Sequence, residues 1–75
     1  MNREIIRECI SLCDRGWQAN ARYIYGDIEA KLATLTQTDT IVVCSRLCVA
    51  GRTCISSRFA YPHIRERLEE ILKGQ

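Results

Sequence analysis

The sequence predicts a small all-α domain of four helices that begins with a helical hairpin. Three segments carry apolar residues at steps of three and four, which is the period of a helix with one buried face. The longest apolar stripe consists of Trp17, Ala21, Ile24, Ile28, Leu32 and Leu35. Asp14-Arg15-Gly16 precedes this stripe and is typical of a helix end followed by a tight turn.

These signals divide the first half of the chain into two helices. Asn2 is suited to cap a first helix over residues 3–14, with Glu4 in its first turn. Gly16 is expected to supply the left-handed residue that ends it. The second helix is expected over residues 17–35, followed by a polar hinge rich in threonine.

Residues 41–60 fit two structures. Ile41-Val42-Val43 is β-branched and favours a strand, so a hairpin of 41–49 with 53–60 would give an α+β fold. The apolar positions also fit a helix over residues 40–50, capped by Thr38 or Asp39 and ended by Gly51. We favour the helix, because an isolated two-stranded hairpin is marginally stable.

A fourth helix is expected over residues 62–73, because Pro62 suits a first helical turn. Ile64, Leu68, Ile71 and Leu72 form its apolar stripe. The stripe is short and has no assured partner within the chain. We therefore predict that it pairs with its own copy across a two-fold axis and makes a homodimer.

Composition limits the class of protein. The chain has 75 residues, 47% of them hydrophobic and 27% charged, which indicates one soluble domain. It has neither an apolar run long enough to cross a membrane nor a signal peptide, so we expect a cytoplasmic protein. The net charge of +2 hides a basic segment, since residues 40–65 contain four arginines and no acid. No internal repeat is evident.

Five cysteines are many for this length. Cys9 and Cys13 are four residues apart, as are Cys44 and Cys48, so facing helices could bring four thiolates around a zinc ion. Cysteine is also a common small core residue, and these four lie on apolar stripes. We predict reduced, metal-free thiols and no cofactor.

Catalytic patterns are missing from the sequence. His63 is the one histidine, and it follows Pro62 at a predicted helix start. A nucleophilic cysteine would need a base nearby. There is no pair of catalytic carboxylates and no glycine-rich phosphate loop. We therefore expect no enzymatic activity.

A DNA-binding helix-turn-helix is an alternative for residues 47–56. Leu47-Cys48-Val49-Ala50 would form the turn that opens a recognition helix. Arg52, Ser56 and Arg58 would then contact DNA.

One pattern resembles a known family. Arg15-Gly16-Trp17, a helix with Ala19, Ala21 and Tyr25, a Thr/Asp hinge and then residues 44–48 (Cys-Ser-Arg-Leu-Cys) look like PerC-type regulators and the related negative regulators of AraC-family activators. The resemblance covers about residues 9–54. PerC-type regulators and their relatives are small enterobacterial proteins. The resemblance implies that this protein is a regulator that binds other regulators.

We therefore expect a small bacterial regulatory protein that binds and modulates another protein, such as a transcription regulator. A nucleic-acid partner and a phage-encoded inhibitor of a host defence or transcription complex are the alternatives. The expected partner-binding residues are three aromatic anchors and a charged rim. They are Trp17, Tyr23, Tyr25, Arg46, Arg52, Arg58 and Arg65.

Overall fold

The computed structural model describes residues 2–53 and 57–74, and the fold of these residues is all-α. The helices are α1 (Arg3–Ala19), α2 (Ile24–Leu32), α3 (Asp39–Thr53) and α4 (Ala60–Lys73), with a 3₁₀ turn at Ser57–Phe59 before α4. The prediction of four helices is confirmed. The alternative β-hairpin is wrong, because residues 41–49 lie within α3.

Helix α1 continues past Gly16, so the predicted break at Gly16 is wrong. Asn2 caps the start as predicted, since its Oδ1 accepts a hydrogen bond from the Ile5 N–H at 3.2 Å. The end lies at Asn20, whose φ of 51° and ψ of 41° are left-handed. Asparagine tolerates this conformation better than most residues, because its short side chain can bond locally. Trp17 therefore belongs to the end of α1 rather than to a second helix.

Helix α2 is shorter than the predicted 17–35 helix. The Gln37 amide donates to the carbonyl oxygens of Leu32 (3.0 Å) and Leu35 (2.9 Å), which supplies partners where the helical bonds end. Thr38 then caps α3, because its Oγ1 accepts from the Ile41 N–H at 3.3 Å.

Helices α3 and α4 are both longer than predicted. Gly51 does not end α3, which runs on to Thr53. Helix α4 begins at Ala60, two residues before Pro62. Proline is tolerated there because the first N–H groups of a helix have no helical acceptor.

The four helices form an up-and-down bundle. Each helix packs against its neighbours in sequence, and α1 also packs against α4, so that α1 faces α3 and α2 faces α4 across the diagonals. The buried apolar core comprises Ile6, Cys9, Cys13, Ile24, Tyr25, Ile28, Leu32, Leu35, Ile41, Cys44, Cys48, Tyr61, Ile64 and Leu68. Within the described ranges, no helix is both long and apolar enough to cross a membrane.

The two helical hairpins repeat one pattern of buried residues, which corrects the expectation of no repeat. Buried positions of α1 recur in α3 after 35 residues, as Ile6 and Ile41 show. Buried positions of α2 recur in α4 after 36 residues, as Tyr25 and Tyr61 show. The first copy has Ile6, Cys9, Cys13, Gly16, Tyr25, Ile28 and Leu32, and the second has Ile41, Cys44, Cys48, Gly51, Tyr61, Ile64 and Leu68. All fourteen are buried, whereas most exposed positions differ between the copies.

Each glycine of the repeat packs against the tyrosine of the other copy. A Cβ at Gly16 would overlap the ring carbons of Tyr61, and a Cβ at Gly51 would overlap those of Tyr25. The glycines therefore let a ring approach the helix backbone, which is why they occur inside helices despite their cost.

We predict that Gly51→Ala lowers the free energy of unfolding by about 1–3 kcal/mol, even though alanine favours helix, because the new methyl group overpacks the core. Gly26→Ala is the matched control, since nothing lies within 4 Å of its added Cβ. It should stabilise the protein by up to about 1 kcal/mol. Urea unfolding followed by circular dichroism measures both changes. Equal effects of the two variants would contradict the packing role of Gly51.

Candidate partner-binding surface

The two core tyrosines stack on one another between the hairpins. Their ring centroids are 3.9 Å apart and the planes differ by 6°. The Tyr25 hydroxyl accepts a hydrogen bond from the Ala60 N–H at 3.2 Å, and the Tyr61 hydroxyl donates to the Ala21 carbonyl. Burial raises the pKa of both hydroxyls. Tyr25 is completely buried, so its prediction as a partner-binding anchor is wrong.

Four cysteines fill the core beside this stack. Cys9, Cys13, Cys44 and Cys48 are buried and free of disulfides, which confirms them as core residues. No group of three potential metal ligands occurs among the described residues. Burial raises the pKa of Cys9 and of Cys44 to about 11, and that of Cys48 to about 12. Neutral thiols are poor nucleophiles and poor metal ligands, because the thiolate is the reactive form. The absence of a metal stays a prediction.

The aromatic side chains that do reach the surface lie at one end of the bundle. Trp17 and Phe59 meet edge to face, with ring centroids 5.7 Å apart. The Arg58 guanidinium carbon lies 4.5 Å from the centre of the Trp17 ring and 5.8 Å from that of Phe59. Trp17 is half-buried, whereas Phe59 is 56% exposed.

Tyr23 belongs to the same end, because it immediately precedes α2 as Phe59 precedes α4. The hydrogen bond from the Ala60 N–H to the Tyr25 hydroxyl links the starts of α2 and α4 at this end of the bundle. Tyr23 is 73% exposed, the largest exposure among the bulky apolar residues described. We call Trp17, Tyr23, Arg58 and Phe59 together the end surface.

Phe59 was not among the predicted partner-binding residues, although the sequence contains a signal for it. Arg22-Tyr23 and Arg58-Phe59 are 36 residues apart, the same offset as the second-helix repeat. The aromatic member of each pair stands two residues before a core tyrosine. The repeat therefore places an arginine and an aromatic residue at both helix starts.

The other arginines that were predicted to bind a partner do not form a charged rim around the end surface. Arg52 pairs with Glu29 at 2.7 Å across α2 and α3. Arg65 pairs with Asp14 at 2.8 Å across α1 and α4. Arg46 is exposed on α3. The two ion pairs join neighbouring helices, and each contributes little to stability because its side chains remain partly solvated.

Two further predictions are corrected by the course of the helices. Residues 47–53 are continuous helix, so the turn required by a helix-turn-helix is absent there. Ser56, its proposed DNA contact, lies outside the described residues. Ile64 and Leu68 are completely buried in their own chain, so they cannot be the dimer contacts we predicted. Ile71 and Leu72 remain half-buried, and the homodimer itself stays a prediction.

Comparison with known proteins yields no matching family model, no similar curated protein and no similar solved structure. The resemblance to PerC-type regulators therefore stays a prediction.

The buried thiols predict a pH dependence of stability. The pKa of Cys44 rises from about 9 in the unfolded chain to about 11 in the fold, so its contribution is complete below pH 9 and is lost as the pH rises towards 11. Between these values only the unfolded chain releases the thiol proton. Stability should therefore fall by up to about 1.4 kcal/mol per pH unit for each such thiol.

Urea unfolding under reducing conditions at pH 8 to 11 tests this dependence. In Cys44→Ala, the free energy of unfolding should fall less steeply with pH. The change in slope should correspond to about one proton. Ile41→Val is the control, because it trims the same core stripe without removing a thiol and should leave the slope unchanged. An unchanged slope in Cys44→Ala would contradict the prediction.

Proposed function

We propose that this protein is a non-enzymatic binding module that captures an acidic segment of another protein with its end surface. Through this contact it would act as a small bacterial regulator of its partner, for example a transcription regulator. The observation that supports the proposal best is the arginine of the end surface, which is stacked on a tryptophan and stands beside an exposed phenylalanine.

The composition of the end surface is that of a binding hot spot. Tryptophan, tyrosine and arginine contribute most of the binding energy at protein interfaces. Aromatic rings also lose little conformational entropy when they become buried, and here Trp17 is held by contacts on two sides. An exposed phenylalanine and tyrosine at one end would lose water contact when a partner covers them.

The charge of this end favours an acidic partner. Stacking on Trp17 holds the Arg58 guanidinium in place, so that its N–H groups can meet a carboxylate in a bidentate manner. Arg15 is exposed near the end of α1. Asp14, an acid of the same region, is already paired with Arg65.

The chemistry of the side chains supports a binding role over catalysis. The four core thiols are buried, and their pKa values lie far above neutrality. His63, the one histidine of the sequence, is exposed in the first turn of α4. A nucleophile and a base are therefore not brought together among these residues, as covalent catalysis would require.

We expect a photo-crosslinking amino acid at position 23 or 59 to capture one acidic protein from a lysate of the source cells. The same amino acid at position 46 is the control, because Arg46 lies on α3 away from the aromatic cluster. Arg58→Glu should abolish the adduct by placing a carboxylate opposite the partner's acids. Arg46→Glu makes the same change of charge and should leave the adduct intact.

Three outcomes would contradict the proposal. The first is equal crosslinking from position 46, and the second is an adduct that resists Arg58→Glu. The third is an adduct that nuclease treatment removes, since stacked aromatics and arginines also suit single-stranded nucleic acid. Circular dichroism of each variant verifies that the fold is retained.

A further inference from the structure

A cleft of about 320 Å³ lies between α1 and α4 in the half of the bundle opposite the end surface. It is lined by Arg7 and Ile10 of α1 and by Glu69, Leu72 and Lys73 of α4. None of these five residues belongs to the repeated core pattern, and the three charged ones lie outside the packed core.

On the α4 side, the cleft exists because the second hairpin is longer than the first. Leu32 is the last residue of α2, whereas its counterpart Leu68 is followed by five further helical residues, up to Lys73. In the first copy, Gln37 instead folds back on the carbonyl of Leu32 and closes the helix end. The α4 wall is therefore an addition that the first copy lacks.

On the α1 side, the residues that line the cleft also differ from their counterparts in α3. The counterparts of Arg7 and Ile10, 35 residues later, are Val42 and Ser45. A cation and an aliphatic side chain thus occur together on one seam of the bundle. The other seam has Val42 in place of the cation and the polar Ser45 in place of the isoleucine, so it lacks this combination. The repeated core pattern therefore does not require Arg7 and Ile10, and a binding role would account for their presence on one seam alone.

The cleft combines an apolar floor with a basic rim. Ile10 and Leu72 are half-buried and pack on the outside of the core. Arg7 and Lys73 stand at the rim, and Arg3 is held beside it by donating from its Nη1 to the Leu72 carbonyl at 3.3 Å. The one lining acid, Glu69, lies 3.4 Å from the Arg65 Nε in an ion pair without hydrogen-bond geometry. The lining therefore has positive charge in excess.

We propose that this cleft binds a large aliphatic side chain that stands next to a carboxylate in a peptide segment of a partner protein. Its volume is at the lower end of the range of small-molecule sites, about 300–1,000 Å³, and it is open to solvent along the helices. It therefore suits one side chain of a larger partner. The aliphatic group would cover Ile10 and Leu72, and the carboxylate would lie between Arg7 and Lys73. This inference rests on the proposed function only in that the occupant belongs to a protein.

The test is a titration of the ¹⁵N-labelled full chain with the peptide acetyl-Asp-Leu-Glu-amide, followed by NMR. We expect saturable shifts of the backbone signals of Arg7, Ile10, Leu72 and Lys73. The signals of Val42 and Ser45, at the corresponding positions on the other seam, should not move. Acetyl-Lys-Leu-Lys-amide, which has the same aliphatic side chain between cations, should not bind.

Charge-reversal variants then separate this site from general attraction. Arg7→Glu and Lys73→Glu should each weaken binding of the acidic peptide about fivefold or more, because an attraction becomes a repulsion. Arg46→Glu makes the same change of net charge away from the cleft and should leave the affinity unchanged. Both cleft residues are at the rim, so the variants should fold, and their NMR spectra verify this.

The proposal is overturned by shifts that do not saturate, by shifts that Arg7→Glu leaves unchanged, or by equal binding of the lysine peptide. Equal affinity for octanoate at the same residues would also overturn it, because the site would then belong to a free aliphatic acid. Arg58→Glu should not affect this titration. Failure here is thus distinguishable from failure of the end surface, which the crosslinking experiment reports.

Discussion

The close approach of two tyrosine rings to two helix backbones is the constraint on which this bundle depends. Tyr25 and Tyr61 stack at 3.9 Å, and each ring lies on a glycine of the opposite hairpin. A larger residue at Gly16 or Gly51 would occupy the space of a ring. The two glycines therefore determine how near α1 and α3 can come to the stack, and this distance sets the width of the bundle at that end.

The same constraint explains why the repeat is present at the buried positions and mostly absent from the exposed ones. The contact between the hairpins is reciprocal, because the glycine of each copy receives the tyrosine of the other. A change in one copy would disturb both hairpins. Exposed positions are free of this coupling, which allows α4 to extend beyond the length of α2 and to form a cleft on one seam alone.

The core contact also positions the end surface. Trp17 follows Gly16 directly, and Phe59 stands two residues before Tyr61. The hydroxyl of Tyr25 accepts from the N–H of Ala60, which holds the start of α4 in place. Preorganisation of this kind would reduce the entropy lost if a partner bound there. The core tyrosine pair thus lies only a few residues from the candidate partner-binding surface.

The sequence by itself determined the first, second and fourth helices and the cap at Asn2, because apolar period and capping are local properties. For residues 41–60 it favoured a helix capped by Thr38 or Asp39 over a hairpin, and the packing of α3 in the bundle decided this in favour of the helix. Only the tertiary structure decided the roles of Gly16 and Gly51. In a sequence, a glycine after a helical segment can indicate either a helix end or a site of close packing. At Gly16 the ring of Tyr61 decides for close packing, and that residue lies 45 positions further along the chain. Tyr25 was indistinguishable from an exposed anchor for the same reason: its burial depends on a partner ring that only the closed bundle brings near.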